Sequence, residues 1–206
     1  MITVIKSQFV QHKLTILRNK KTSNTVFRQT MNETSYLIAA EVLKHLPYKK
    51  TKVETPLKST SGTILAKQII LVPILRAGLG LLEGFAKFLP DAEKGHIGLY
   101  RDEQTYEPVE YLFKLPKIRN KKILILDPML ATGNSSIAAI DLIRNKGANI
   151  KDISLISLLA APEGLKNIQK IQKGIHIFTC SIDKKLNKNK FIVPGLGDAG
   201  DRYMGT

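Results

Sequence analysis

The amino-acid sequence predicts one α/β domain built on an open, mostly parallel β-sheet flanked by helices. Three observations carry this. Short apolar runs of strand length (residues 69–75, 123–126, 153–159 and 175–178) read as strands buried on both faces. Segments of helical period separate them, and strand alternating with helix gives a parallel sheet. The chain has 206 residues, 43% of them hydrophobic and 24% charged, with no repeat, low-complexity tract or Gly/Ser linker, so residues 1–206 form a single domain with a full core.

Taken in order, residues 8–46 place Phe9, Val10, Leu14, Leu17, then Phe27, Met31, Ile38, Val42 and Leu46 at helical spacing. The expectation is an N-terminal helical arm over about residues 1–50, opening with two helices. Helices are expected at 79–89 after the first strand, at 135–146, where Arg144 and Lys146 fall in the last turn before Gly147, and at 162–172, begun by Pro162. Residues 99–115 break the pattern. The alternation of Val109, Tyr111 and Phe113 reads as an antiparallel excursion, a small hood or flap with a polar tip. Glycine and proline crowd the tail, 191–206, which would be disorder by composition, yet Asp198 is locked between Gly197 and Ala199; a floppy terminus is the bland alternative.

Charge and composition narrow the function. The 32 basic residues against 17 acidic leave a formal +15, but 25 of the 32 are Lys, Trp is absent and aromatics are 6%. The forks and stacking platforms of a nucleic-acid reader are therefore scarce, and a lysine-rich solubilising surface is the better account. Cys180 stands alone, which suits a reducing compartment and a buried small hydrophobe rather than a catalytic thiol. With neither a signal-type stretch nor a run of membrane-span length, the expected location is the cytoplasm.

Three motifs carry chemistry. In ILILDPMLATGNSS (123–136) an apolar strand ends in Asp127 and a turn of small and hydroxyl residues opens onto a helix. The N–H groups of Thr132, Gly133, Asn134 and Ser135, with the Thr132 and Ser135 hydroxyls, would cradle one anion on the helix dipole, while Asp127 accepts from sugar hydroxyls beside it. An ordinary turn with a Ser cap is the alternative for the loop by itself. Neither a P-loop GxxxxGK[ST] nor a dinucleotide GxGxxG is present. In VPILRAGLGLLEGF (72–85), Arg76 follows a buried strand and faces the expected ligand crevice, with Gly78 and Gly80 allowing close approach; a structural ion pair is the alternative for Arg76, as it is for Arg101 at the root of the flap. In FIVPGLGDAGDRYMGT (191–206), Asp198 sits between Gly197 and Ala199, where a flat ligand can touch main chain.

VPILRAGLG, LYRDEQT, EPVEY, DPMLATGNS, LLAAPEG and VPGLGDAGDR, in this order, together with QHKLTILRNK near the start, resemble the uracil phosphoribosyltransferases over nearly the whole chain. The resemblance implies the type I phosphoribosyltransferase fold and the making of UMP and diphosphate from uracil and phosphoribosyl pyrophosphate (PRPP), with Mg²⁺ carried mainly by PRPP and no metal held by the protein. Arg76, Arg101 and Asp198 are the candidate catalytic residues, Asp198 to orient or receive the N1 proton of uracil or only to position the base. Arg76 and Arg101 match diphosphate ligands. Asp127, Pro128, Met129, Leu130, Ala131, Thr132, Gly133, Asn134 and Ser135 match the ribose-5-phosphate loop, and Asp198 a further PRPP contact. Ile192, Gly197, Asp198 and Ala199 match the uracil contacts, in a C-terminal segment of about 191–206. The resemblance also brings in GTP as an effector and a homo-oligomer, dimer or tetramer. Three departures stand out: Asn134 for the second glycine of TGGS, with its tolerance of positive φ invoked to keep the cup; Ser7 and Gln8 for His-Pro; and Lys190 for a frequent glycine. Two readings compete with this one: an RNA-binding regulator on the same scaffold, and a same-fold enzyme using another nucleobase.

Overall fold

The computed structural model describes residues 1–101 and 108–206, with Arg101 in backbone only. Along the chain run β1 (Ile2–Val4), α1 (Gln8–Arg18), α2 (Asn24–Leu43), β2 (Tyr48–Glu54), β3 (Ser59–Leu65), β4 (Ile69–Leu75), α3 (Leu79–Phe88), β5 (Glu93–Lys94), β6 (His96–Arg101) and β7 (Pro108–Lys114). Then come β8 (Lys122–Leu126), β9 (Met129–Leu130), α4 (Asn134–Asn145), β10 (Ile153–Ala160), α5 (Pro162–Ile171), β11 (His176–Ile182), β12 (Lys185–Leu186), β13 (Ile192–Val193) and α6 (Ala199–Met204).

The main sheet runs β1-β11-β10-β8-β4-β6-β7, with β5 beside β4 and β9 beside β10. Every pairing in it is parallel except β6 with β7. Strand period sorts its side chains into two cores. Leu71, Leu124, Leu126 and Phe178 pack with Leu14, Phe27, Met31 and Phe85 from α1, α2 and α3. Ile70, Val72, Ile123 and Ile125 pack on the other face with Ile140 and Ile143 of α4 and Ile168 of α5. The strands are apolar throughout because helices cover both faces. The expected strands and the three later helices are present, with boundaries shifted by one to a few residues.

The N-terminal arm differs from its expectation. Its two helices form, but β1 precedes them and pairs with β11, and β2 begins before residue 50. β2 and β3 make an antiparallel hairpin of mostly exposed residues. Mostly polar and exposed, it has no clear strand period for the sequence to show. The antiparallel excursion is β6 with β7, carrying a register shift at Gly98/Leu99. Its remaining part, 102–107, lies outside the described residues.

The tail is ordered. It folds into β13 and α6, and Arg202 fastens it: Nη1 donates to the carbonyls of Leu17 (2.5 Å) and Leu196 (2.6 Å), Nη2 to that of Asn19 (2.9 Å). The guanidinium also lies 4.3 Å from the Phe27 ring centroid. Cys180 is buried, which pushes its thiol up to about 12 and leaves it unreactive at neutral pH.

Candidate functional site

Parallel strands end on one edge of the sheet, and ligands of open α/β sheets bind beyond that edge. Here β4 delivers Arg76 and β8 delivers Asp127. A cavity of about 240 Å³ lies between them, lined by Arg76, Ala77, Asp127, Met129, Ala131, Thr132, Gly133, Ser135, Ser136 and Asp198, among others. A second cavity, about 370 Å³, is lined by Phe191, Ile192, Gly197, Asp198 and Ala199. Ala77, Met129, Ala131 and Asp198 line both, so the two are compartments of one cleft and Asp198 is the ionisable group at their junction.

The loop after β8 gains its shape from three sources. Gly133 is the α4 N-cap at φ 85°, a left-handed turn that glycine adopts without strain. Asn134 is the first residue of α4 and needs no positive φ, so the tolerance invoked for it from sequence is not used. Its N–H lies 3.4 Å from Thr132 Oγ1 and its side-chain Oδ1 accepts from Asn167 Nδ2 of α5 (3.2 Å), which also donates to the Thr132 carbonyl (3.0 Å). The first-turn N–H groups of a helix have no intrahelical acceptor, so this end of α4 favours an anion.

Asp127 sits at the cleft floor and accepts from Ser136 Oγ (2.8 Å). Burial pushes its pKa up to about 6, against the opposing pull of Ser136 and the Met129 N–H. Asp198 caps α6, its Oδ1 accepting from the Asp201 N–H (3.0 Å). Arg76 is half-exposed and ion-paired with Asp201 (3.2 Å).

The cleft thus gathers Arg76, Asp127, Met129, Ala131, Thr132, Gly133, Ser135 and Asp198 in one compartment, and Ile192, Gly197, Asp198 and Ala199 in the other. Pro128, Leu130 and Asn134 line neither compartment. Pro128 accepts the N–H groups of Leu158 and Leu159, and Leu130 is buried in β9. The Arg101 side chain lies outside the described residues. Gly78 serves packing rather than a ligand, since a Cβ there would collide with the Leu126 and Ile74 carbonyls. Sequence reasoning missed Ser136 and Ala77, both visible inside the motifs, and Asn167, Arg18 and Asp183, whose partners are distant in sequence. Among the described residues, no group of three His, Cys, Asp or Glu side chains gathers to hold a metal ion, and no helix is long and apolar enough to cross a membrane.

The model of the uracil phosphoribosyltransferase family matches residues 4–206. The chain belongs to that family. It is 48% identical over 205 residues to the uracil phosphoribosyltransferase of Lactococcus lactis subsp. lactis, covering 98% of this chain and 97% of the relative. Among solved structures, the AQ2163 protein of Aquifex aeolicus matches with a TM-score of 0.92 at 36% identity, over 98% of this chain and 97% of that one. The purine phosphoribosyltransferase of Pyrococcus horikoshii, at 14% identity, TM-score 0.50 and coverage of 75% and 84%, shares the fold. That places this uracil phosphoribosyltransferase family member in the type I phosphoribosyltransferase fold.

Proposed function

We propose that this chain transfers the 5-phosphoribosyl group of PRPP to N1 of uracil, giving UMP and diphosphate in pyrimidine salvage. The observation that carries it is the two-compartment cleft, with a helix N-terminus and Asp127 in one part, a wall that includes Ile192, Gly197 and Ala199 in the other, and Asp198 at the junction. The 5-phosphate rests on residues 132–135 and the ribose hydroxyls on Asp127. As the bond from the anomeric carbon to the diphosphate oxygen breaks, negative charge builds on the leaving group and Arg76 and Arg101 stabilise it. N1 of uracil bonds to that carbon and its proton leaves, received or oriented by Asp198 directly or through water.

The cleft suits Mg²⁺ arriving on PRPP. It offers isolated carboxylates rather than a protein cage, and Mg²⁺ binds readily through substrate phosphates and retained waters. When bound, the ion neutralises diphosphate charge. A cytoplasmic setting accords with the single buried Cys180. The homo-oligomer, dimer or tetramer, and the GTP effector rest on the family resemblance. The deciding experiment follows UMP from uracil and PRPP with Mg²⁺, with and without GTP, alongside light scattering for size. No UMP, together with tight RNA binding of steep salt dependence, would transfer the case to the RNA-binding reading.

A further inference from the structure

Gly195 lies in the chain between Ile192 and Gly197, two residues that line the second compartment, and one ion pair from elsewhere in the chain holds both of its backbone polar groups. Its N–H donates to Asp183 Oδ2 (2.8 Å) and its carbonyl accepts from Arg18 Nη1 (2.8 Å). Arg18 clasps the same carboxylate twice, Nη1 to Oδ2 (2.7 Å) and Nη2 to Oδ1 (2.6 Å), and Ser181 Oγ donates to Oδ1 (3.0 Å). Arg18 ends α1, and Asp183 follows β11.

Neither residue lines the compartment. Their effect passes through the turn. Gly195 has φ 61°, and a Cβ there would collide with the Ile192 carbonyl, so the chain folds tightly back on Ile192 at this point. That fold sets how Ile192 stands relative to Gly197, Asp198 and Ala199 around the cavity. The Asp183 side chain is only 3% exposed. Burial opposes its charge, yet Arg18, the Gly195 N–H and Ser181 prevail and hold its pKa below the usual range. A planar guanidinium fork can meet a carboxylate and a carbonyl together, which a lysine ammonium does poorly. Buried pairs of this kind are better suited to fixing geometry than to adding stability.

We infer that Arg18 and Asp183 are positioning residues for the nucleobase, a clamp that holds Ile192–Ala199 in the shape whose backbone groups discriminate among pyrimidines. The inference rests on reading that segment as the base site. Removing one member outright strands a buried charge, so the informative variants are Arg18→Lys and the milder Ser181→Ala, which leaves the pair in place.

The experiment measures KM and kcat for uracil, cytosine and PRPP, with Tm, in both variants and in Ala199→Val, which adds bulk to the cavity wall. Arg18→Lys is expected to raise KM for uracil about tenfold, leave KM for PRPP within about twofold, and lower the uracil-to-cytosine ratio of kcat/KM about tenfold. Ser181→Ala moves the same quantities in the same direction by less, and carries the test if Arg18→Lys fails to fold. A fall in Tm with the base ratio unchanged, or both KM values rising together, would overturn the clamp. Ala199→Val separates the two levels. If it raises KM for uracil while Arg18→Lys and Ser181→Ala do not, the clamp alone is wrong; if it leaves KM for uracil unchanged, the base-site reading fails and the clamp with it.

Discussion

Nη2 of Arg76 lies 3.2 Å from Asp201 Oδ1, tying the residue after β4 to helix α6. Both side chains are about half exposed, at 53% and 52%, so the pair is weak and a diphosphate can displace it. Arg76→Ala is expected to lower kcat/KM for PRPP by roughly 10²-fold, the scale of losing one donor to developing charge, with little change in Tm. Asp201→Asn releases the competitor and lowers KM for PRPP by up to about threefold. Steady-state kinetics decide: a tenfold rise in KM for Asp201→Asn would make Asp201 part of the site instead.

Asn167 ties the Thr132–Asn134 loop, the proposed phosphate site, to α5 through the Thr132 carbonyl and Asn134 Oδ1. Asn167→Ala removes both bonds at a cost of about 1 kcal/mol each, lowering Tm and raising KM for PRPP about fivefold as the loop loosens. Asn134→Gly loses one bond and gives a smaller shift in the same direction. An Asn167→Ala protein with unchanged KM would show that the loop keeps its shape without α5.

Asp127 gives the site a pH dependence. Its pKa of about 6 in the folded chain exceeds the ordinary 3.8, so the ligand-free fold binds this proton more tightly than the unfolded chain does. The resulting stability is fully present below about pH 4 and lost as pH rises through about 6. Asp127→Asn escapes that loss, so its Tm relative to the parent should rise from about pH 4 to about pH 7 in ligand-free protein. On the proposed reading the charged form accepts from the ribose hydroxyls, so kcat/KM for PRPP in the parent should fall as pH drops below about 6, and the variant should lose that limb along with roughly 10²-fold of activity. A Tm difference independent of pH would place the Asp127 pKa near its ordinary value.

The parts legible in the sequence were those with local signals. Strands such as Ile69–Leu75 announced themselves because both faces are buried, and the Asp127-to-Ser135 loop because its strand, turn and helix are contiguous. β1 is three residues long and gains its meaning from pairing with β11, which no window can see. The β2–β3 hairpin has solvent on both faces and hence no pattern. The tail looked disordered by composition because the residue that orders it, Arg202, acts on carbonyls at Leu17 and Asn19, far back in the chain. The Arg18–Asp183 clamp went unseen for the same reason: a pair of charges 165 positions apart has no spacing to read.

Arg101 ends β6, and its role rests on its place in LYRDEQT. Arg101→Ala should keep the Tm and lower kcat/KM for PRPP by roughly 10²-fold or more, with kcat falling as well, because a donor to the leaving diphosphate acts most strongly in the transition state. Unchanged kinetics would make Arg101 structural.

Base choice tests the wall of the second compartment most directly. On the proposed reading the base meets Ile192, Gly197, Asp198 and Ala199; the ionisable groups lining that cavity are Lys190 and Asp198, and the Asp198 carboxylate already caps α6. In the proposed base site a main-chain N–H would face the 4-oxygen of uracil and a carbonyl would face N3–H, satisfying both partners. Cytosine presents an amino donor and a bare nitrogen at those places, leaving both backbone groups buried and unpaired. Uracil should therefore be preferred over cytosine by roughly 10⁴-fold in kcat/KM, the range reached when a site built for hydrogen bonds meets a ligand that cannot make them. Ile192→Val keeps the backbone and trims one methylene from a buried side chain, so it should alter KM for uracil only modestly and leave the preference intact. Competition between the two bases in one assay reads this out: a comparable rate with cytosine, or a switch of preference in Ile192→Val, would assign the discrimination to side chains rather than to the main chain.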